Sequence, residues 1–139
     1  MLFPKKVKYR KWQRARTNPK KKQVATRGTT LAFGSHGLKA VTPGYISSNQ
    51  IEAARRVVVR LLGKSGKVWV RVFPDRPETK KGAELPMGKG KGDPFRFVVE
   101  AKPGRMLFEV DGIPDLEARE ALRKAGTKLP VKTLTVIRH

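Results

Sequence analysis

The sequence predicts an α+β fold, a mostly antiparallel sheet with two helices packed on one face. Three observations predict it. Two segments repeat apolar residues at helical spacing between recognisable caps, several stretches alternate with period two, and a Pro-Gly turn between two of those stretches favours antiparallel pairing. The chain has 139 residues, a length at which one domain buries roughly 68–70% of its unfolded surface. A single domain over residues 1–139 is expected, with a basic extension at 1–28 and a functional loop at 75–93.

In chain order, residues 29–33 and 38–42 lean towards β structure around a GSHG turn and predict two strands. The run SSNQIEAARRVVVRLLGKSG predicts a helix. Ser47 and Gln50 form a capping-box pair, Ile51, Ala54, Val58 and Leu61 recur on one face, Glu52 precedes Arg56 by four residues, and Gly63 and Gly66 end it. KVWVRVFP alternates, with Val68, Val70 and Val72 on one face and Trp69, Arg71 and Phe73 on the other. PFRFVVEAK and RMLFEV alternate likewise about KPGR, which predicts a hairpin. DLEAREALRKAG predicts the second helix, with Asp115 as N-cap behind Pro114, Ala118, Leu122 and Ala125 inward, and Gly126 as terminator. VKTLTVIR is a closing strand.

Between residues 74 and 94 there is neither periodicity. DRPETKKGAELPMGKGKGD holds four Gly and two Pro, and a structureless loop of such length inside a compact domain is usually functional or disordered. Glycine at every second position of Met87, Gly88, Lys89, Gly90, Lys91 and Gly92 lets the backbone approach a phosphate or sugar closely, while Lys80 and Lys81 add charge to the same excursion. A flexible solvent-exposed turn is the plain alternative.

Charge points to the partner. The formal net charge is +21, divided as +12 over residues 1–51, +7 over 52–104 and +2 over 105–139. No acidic residue precedes Glu52. A run such as KKVKYRKWQRARTNPKKKQVATR cannot bury enough apolar surface to stay compact alone, and its charges repel until a polyanion neutralises them. Nucleic acid is that polyanion, because each neutralised phosphate releases condensed counterions. The cations Lys5, Lys6, Lys8, Arg10, Lys11, Arg14, Arg16, Lys20, Lys21, Lys22 and Arg27 are candidate RNA ligands, with Tyr9 and Trp12 interleaved as base-stacking or docking groups. Fully extended, the first 28 residues would reach up to about 90–100 Å, so the tail can thread into a large folded RNA.

Other chemistries find little support. There is no cysteine, which removes disulfides and thiolate metal sites; no metal and no cofactor are expected. No apolar run approaches the roughly 18 residues of a membrane span, and the N-terminus lacks the apolar stretch of a secretory signal, so a cytosolic protein is expected. Gly63-Lys64-Ser65 fails as a phosphate-binding Walker loop because Val58 stands where the first glycine is required. Gly88, Gly90 and Gly92 fail as a dinucleotide fingerprint because Asp93 occupies the last place and a strand follows. The only histidines, His36 and His139, have no sequence-recognisable nucleophile or carboxylate partner, so no catalytic residue is expected and the chain is read as a non-enzyme. A free-standing nucleic-acid architectural protein is the alternative that charge alone permits.

The ordered series MLFPKKVKYRKWQRAR, TTLAFGSHGLKAV, ISSNQIEAAR, VRVFPDRPETKK, MGKGKGDP, KPGRMLFEVDGIP, EAREALRKAG and KLPVKT resembles the bacterial-type large-subunit ribosomal protein L-sixteen family, grouped with L-ten-e, over nearly the whole chain. That resemblance implies an α+β sandwich on large-subunit rRNA beside the aminoacyl (A) site, with A-site and P-site tRNA and neighbouring large-subunit proteins as partners. It implies neither a membrane partner nor a homo-oligomer, and a place in the large subunit of a cytoplasmic or organellar ribosome. Carried onto this chain, the tail cations would hold rRNA, Arg55, Arg56 and Arg60 would lie near RNA, and the loop tip from Met87 to Gly92 would reach towards tRNA. The chain departs from the family at Pro86, where an arginine open to hydroxylation is common, at Ala15, where glycine is usual, in the insert TNPKKKQVATR, and at His36, where Asp-aromatic-Gly is commoner.

Overall fold

The computed structural model describes residues 2–9, 11, 23–80 and 93–138. Its elements are β1 (His36–Ala40), β2 (Gly44–Ser47), α1 (Ser48–Leu62), β3 (Lys67–Val70), β4 (Arg76–Lys80), β5 (Asp93–Ala101), β6 (Met106–Asp111), α2 (Asp115–Gly126) and β7 (Thr133–Ile137). The α+β class is as expected, and all strand pairs are antiparallel. The strands divide into a four-stranded sheet of order β3-β6-β1-β7 and a three-stranded sheet of order β2-β5-β4.

Helix α1 begins as its sequence dictates. The Ser47 hydroxyl accepts from the Gln50 amide, and the Gln50 side chain accepts from the Ser47 amide, so two otherwise orphaned donors are satisfied. The buried face is Ile51, Ala54, Val58 and Leu62; the expected Leu61 is instead 38% exposed. Both leucines are compatible with helical spacing, and only the position of α2 selects between them. Leu62→Ala should therefore cost about 2–5 kcal/mol, whereas Leu61→Ala should stay within about 0.5 kcal/mol, a contrast that urea melts of the two variants would resolve.

In α2, Pro114 rather than Asp115 is the N-cap, and no side chain caps the helix. Asp115 is the first helical residue, and its carboxylate takes hydrogen bonds from His36 and Arg119 instead. Ala118, Ala121, Leu122 and Ala125 are buried, as the period requires. Gly126 lies inside the helix and does not terminate it; a Cβ there would collide with the Thr133 hydroxyl of β7. Thr127 forms the C-cap.

Three strand expectations change. Residues 29–33 form no strand, and His36 opens β1 rather than sitting in a turn. The predicted β5–β6 hairpin is absent. The turn is there, closed by Arg105 N–H on the Lys102 carbonyl with Gly104 at φ 96°, but it passes the chain from the smaller sheet to the larger one. β5 lies between β2 and β4, while β6 lies between β3 and β1. The stretch 74–94 is not structureless throughout, since residues 76–80 form β4. Pro77 is tolerated there because β4 is an edge strand, where a missing N–H leaves no ladder bond unmade.

The core lies between the helices and the larger sheet. Val70, Phe108 and Leu38 stand in register on the helix side, with Phe108 and Leu38 almost wholly buried against Ile51, Ala54, Val58 and Leu122. Trp69, Glu109 and Gly37 stand in register on the opposite side. That outer face is crossed by the segment from Ala25 to Ser35. Met106 N–H donates to the Gly28 carbonyl at 2.7 Å, and Leu31 lies over Gly37, where any Cβ would strike it. The amides of Ala32, Phe33 and Gly34 all donate to one oxygen of Glu109, at 2.9, 2.9 and 3.0 Å. Those amides cannot also form a ladder, which is why the segment is not a strand.

Candidate nucleic-acid interface

The described part of the tail presents its charges outward. Lys5, Lys6, Lys8, Tyr9, Lys11 and Arg27 are exposed, with Tyr9 at 61% and the Lys8 ammonium 5.6 Å from its ring. Arg10, Trp12, Arg14, Arg16, Lys20, Lys21 and Lys22 lie outside the described residues, as do Lys81, Met87, Gly88, Lys89, Gly90, Lys91 and Gly92. Lys80 pairs with Asp93 across β4 and β5, so the two ends of the Gly/Lys stretch stand opposite each other at the edge of the smaller sheet.

The three arginines of α1 do not form one cluster. Arg55 holds Glu52 with both Nε (3.0 Å) and Nη2 (2.5 Å), and Arg56 adds Nε at 3.2 Å while remaining largely exposed. The Arg55 hydrogen bond, opposed by burial and reinforced by Arg56, brings the Glu52 carboxyl down to about 2. Arg60 points elsewhere, into a groove of about 310 Å³ shared with Leu61, with Lys124 of α2 and with Lys128 just beyond it. Arg55 therefore faces one site and Arg60 another.

What Arg55 faces was not legible in the sequence. Leu2 packs on the core and lines a groove of about 780 Å³ with Arg55, Arg71, Arg76 and Arg105, among which Glu52, Asp75 and Glu100 also stand. The start of the tail is thereby brought to α1. Arg71 is ion-paired with buried Glu109, Arg76 lies 3.5 Å from Glu100 with its guanidinium 5.1 Å from the Tyr45 ring, and Arg105 Nη2 donates to the Arg71 carbonyl at 3.2 Å. The Arg105 Nε is buried with no partner among the described residues. These guanidiniums come from α1, the stretch after β3, β4 and the β5–β6 turn. No local spacing relates them.

Glu109 is a second group that local reasoning missed. Burial pushes its carboxyl up, but donors from Gly34, Arg71, Phe33 and Ala32 together outweigh that and hold it below the usual carboxylate range. His36, expected to lack a partner, is buried with Nε2 2.6 Å from Asp115 and Nδ1 2.8 Å from the Ser35 hydroxyl. The pair fastens the start of β1 to the start of α2.

The basic extension thus starts at a groove where arginines stand among carboxylates, and a second groove gathers Arg60, Lys124 and Lys128. The profile of the family Ribosomal protein L16p/L10e matches residues 4–136. The chain belongs to that family. As an L16p/L10e protein it is a structural, RNA-binding constituent of the large ribosomal subunit, a ribonucleoprotein component that serves translation rather than an enzyme. The matched span runs from the start of the basic tail into β7. Among the described residues, no helix is long and apolar enough to cross a membrane.

Proposed function

We propose that this protein is held on large-subunit rRNA by its N-terminal cations and α1 arginines, shapes the A site near the peptidyl-transferase centre, and contacts A-site and P-site tRNA through residues 75–93. RNA performs the peptidyl transfer, and the protein positions. The observation that carries the reading is the meeting of an acid-free tail, through Leu2, with an arginine groove on α1 in a member of the L16p/L10e family. Phosphate position, rather than base sequence, is what such an interface reads. Neighbouring large-subunit proteins complete its surroundings, in a cytoplasmic or an organellar ribosome.

Reconstitution tests it. Large subunits assembled without this protein should bind A-site tRNA weakly and recover on its addition; unaltered binding would count decisively against the reading. Within the loop, Lys89→Ala combined with Lys91→Ala should impair tRNA accommodation more than incorporation into the subunit. Equal loss of both would make the loop an assembly anchor.

A further inference from the structure

Phe33 is a large aromatic side chain that the fold holds rigidly and leaves 58% exposed. Its amide is tied to the buried Glu109 carboxylate at 2.9 Å. Its ring is stacked on Trp69 from β3, with centroids 5.8 Å apart and planes 18° from parallel. The Arg71 guanidinium lies over the same ring, 5.4 Å from its centroid. Two of these restraints come from neighbouring positions at the end of β3 and the third from β6.

An aromatic residue serving only to seal the sheet would bury more of its own area, since exposed apolar surface forgoes roughly 25 cal/mol for each Å² left in water. Leu31 already covers the adjoining outer face above Gly37. The offset of the two rings leaves Trp69 only partly covered, and it is part-exposed as well. The pair therefore presents a π surface held in place by backbone and ring contacts, which lowers the ordering cost of contact.

The charge beside it is cationic. Arg138, at the end of β7, donates from Nε to the Gly34 carbonyl at 3.1 Å, and its amide donates to the Ser35 carbonyl. Gly34 directly follows Phe33, so Arg138 is anchored to the backbone one residue from the platform. It is exposed and makes no ion pair with any described residue. The nearby carboxylate, Glu109, is wholly buried and already matched by Arg71. An exposed aromatic pair with an exposed guanidinium anchored at the adjoining residue is complementary to a nucleotide: a base to stack and a phosphate to accept the charge.

We infer that the Phe33–Trp69 pair is a stacking platform for one unpaired base of an RNA strand, with Arg138 taking a phosphate of the same strand. The inference rests on the rRNA-binding reading above and adds a site to it, on the outer face of the larger sheet, that the tail, α1 and the Gly/Lys loop do not include. The preference is for an unpaired base because a base in a duplex is stacked on its neighbours and cannot be offered to a ring.

The test uses the full chain carrying Trp12→Phe, which leaves Trp69 as the sole tryptophan; all comparisons are made in that background. Short single-stranded oligoadenylate and an abasic strand of equal length are titrated against tryptophan emission, and affinities are taken at several salt concentrations. Oligoadenylate should quench Trp69 and the abasic strand should not. Phe33→Leu should lower oligoadenylate affinity about 5- to 150-fold without changing the salt slope, and Phe33→Tyr should retain it. Arg138→Gln should reduce the salt slope by about 0.7, the value of one phosphate contact on a single strand.

Unchanged Trp69 emission, or equal affinity of the parent chain and Phe33→Leu, overturns the platform while salt-dependent binding still upholds the broader reading. Absence of binding to either strand overturns both. Should Phe33→Leu fail to fold, the emission of the parent chain with the two strands decides the matter alone.

Discussion

A Glu109→Gln variant melts about 10–20 °C below the parent chain, since breaking a buried pair costs about 3–5 kcal/mol and each kcal/mol moves the midpoint by several degrees at this size. The amide oxygen can still accept from Ala32, Phe33 and Gly34, but it leaves the Arg71 guanidinium without a counter-charge beneath the Phe33 ring. Thermal melts followed by circular dichroism measure the shift, and one of a degree or two would refute the clamp. The acid limb supplies an independent check. Because the folded Glu109 carboxyl lies below its ordinary value, the unfolded chain binds the proton more readily. The stabilisation is therefore complete above the unfolded carboxyl value of about 4.3 and is lost as the pH falls from there through the lower folded value. Glu52, at about 2 in the folded chain, acts in the same direction. The parent should lose stability steeply in acid, and Glu109→Gln should lose less of it.

Changing Lys5, Lys6, Lys8 and Lys11 together to Gln lowers rRNA affinity on the order of 10³-fold at physiological salt and flattens the log–log salt slope by about 3, if each side chain neutralises one phosphate. All four are exposed at the start of the chain, which Leu2 ties to the groove beside α1. Filter binding to large-subunit rRNA across a salt series provides both numbers. An unchanged slope would mean that these lysines face solvent, and that the grooves at Arg55 and Arg60 carry the attachment.

The two helices were almost fully legible because their information is local. The Ser47–Gln50 box and the spacing of Ile51, Ala54 and Val58 specify α1 whatever surrounds it. Three details differ: Asp115 for Pro114 as N-cap and Gly126 as terminator of α2 shift by a residue at the ends, and Leu61 for Leu62 concerns which side of α1 a distant element will cover. β4 escaped notice because Pro77 argues against a strand and is harmless only at an edge, and whether a strand is an edge depends on its neighbours. KPGR was recognised correctly as a turn, yet a turn cannot say whether the strands beside it pair with each other. Residues 29–33 have β-leaning side chains, but the amides of Ala32, Phe33 and Gly34 are claimed by a carboxylate more than seventy residues away. Among the candidate site residues, the tail cations were proposed from charge and Arg55, Arg56 and Arg60 from the family resemblance, while Arg71, Arg76, Arg105 and Arg138 are spread along the chain and no local pattern groups them.

From its sequence alone this protein acquires its charge, its lopsided distribution, its two helices and its family, since charge is additive and periodicity is a property of neighbours. Tertiary structure alone decides the division into two sheets, the arginine groove, the separation of Arg55 from Arg60 and the Glu109 clamp that holds Phe33 to the light of solvent. Each of those depends on which distant segments meet, and partnership between strands or between an anion and its donors is a free-energy difference that no single segment contains.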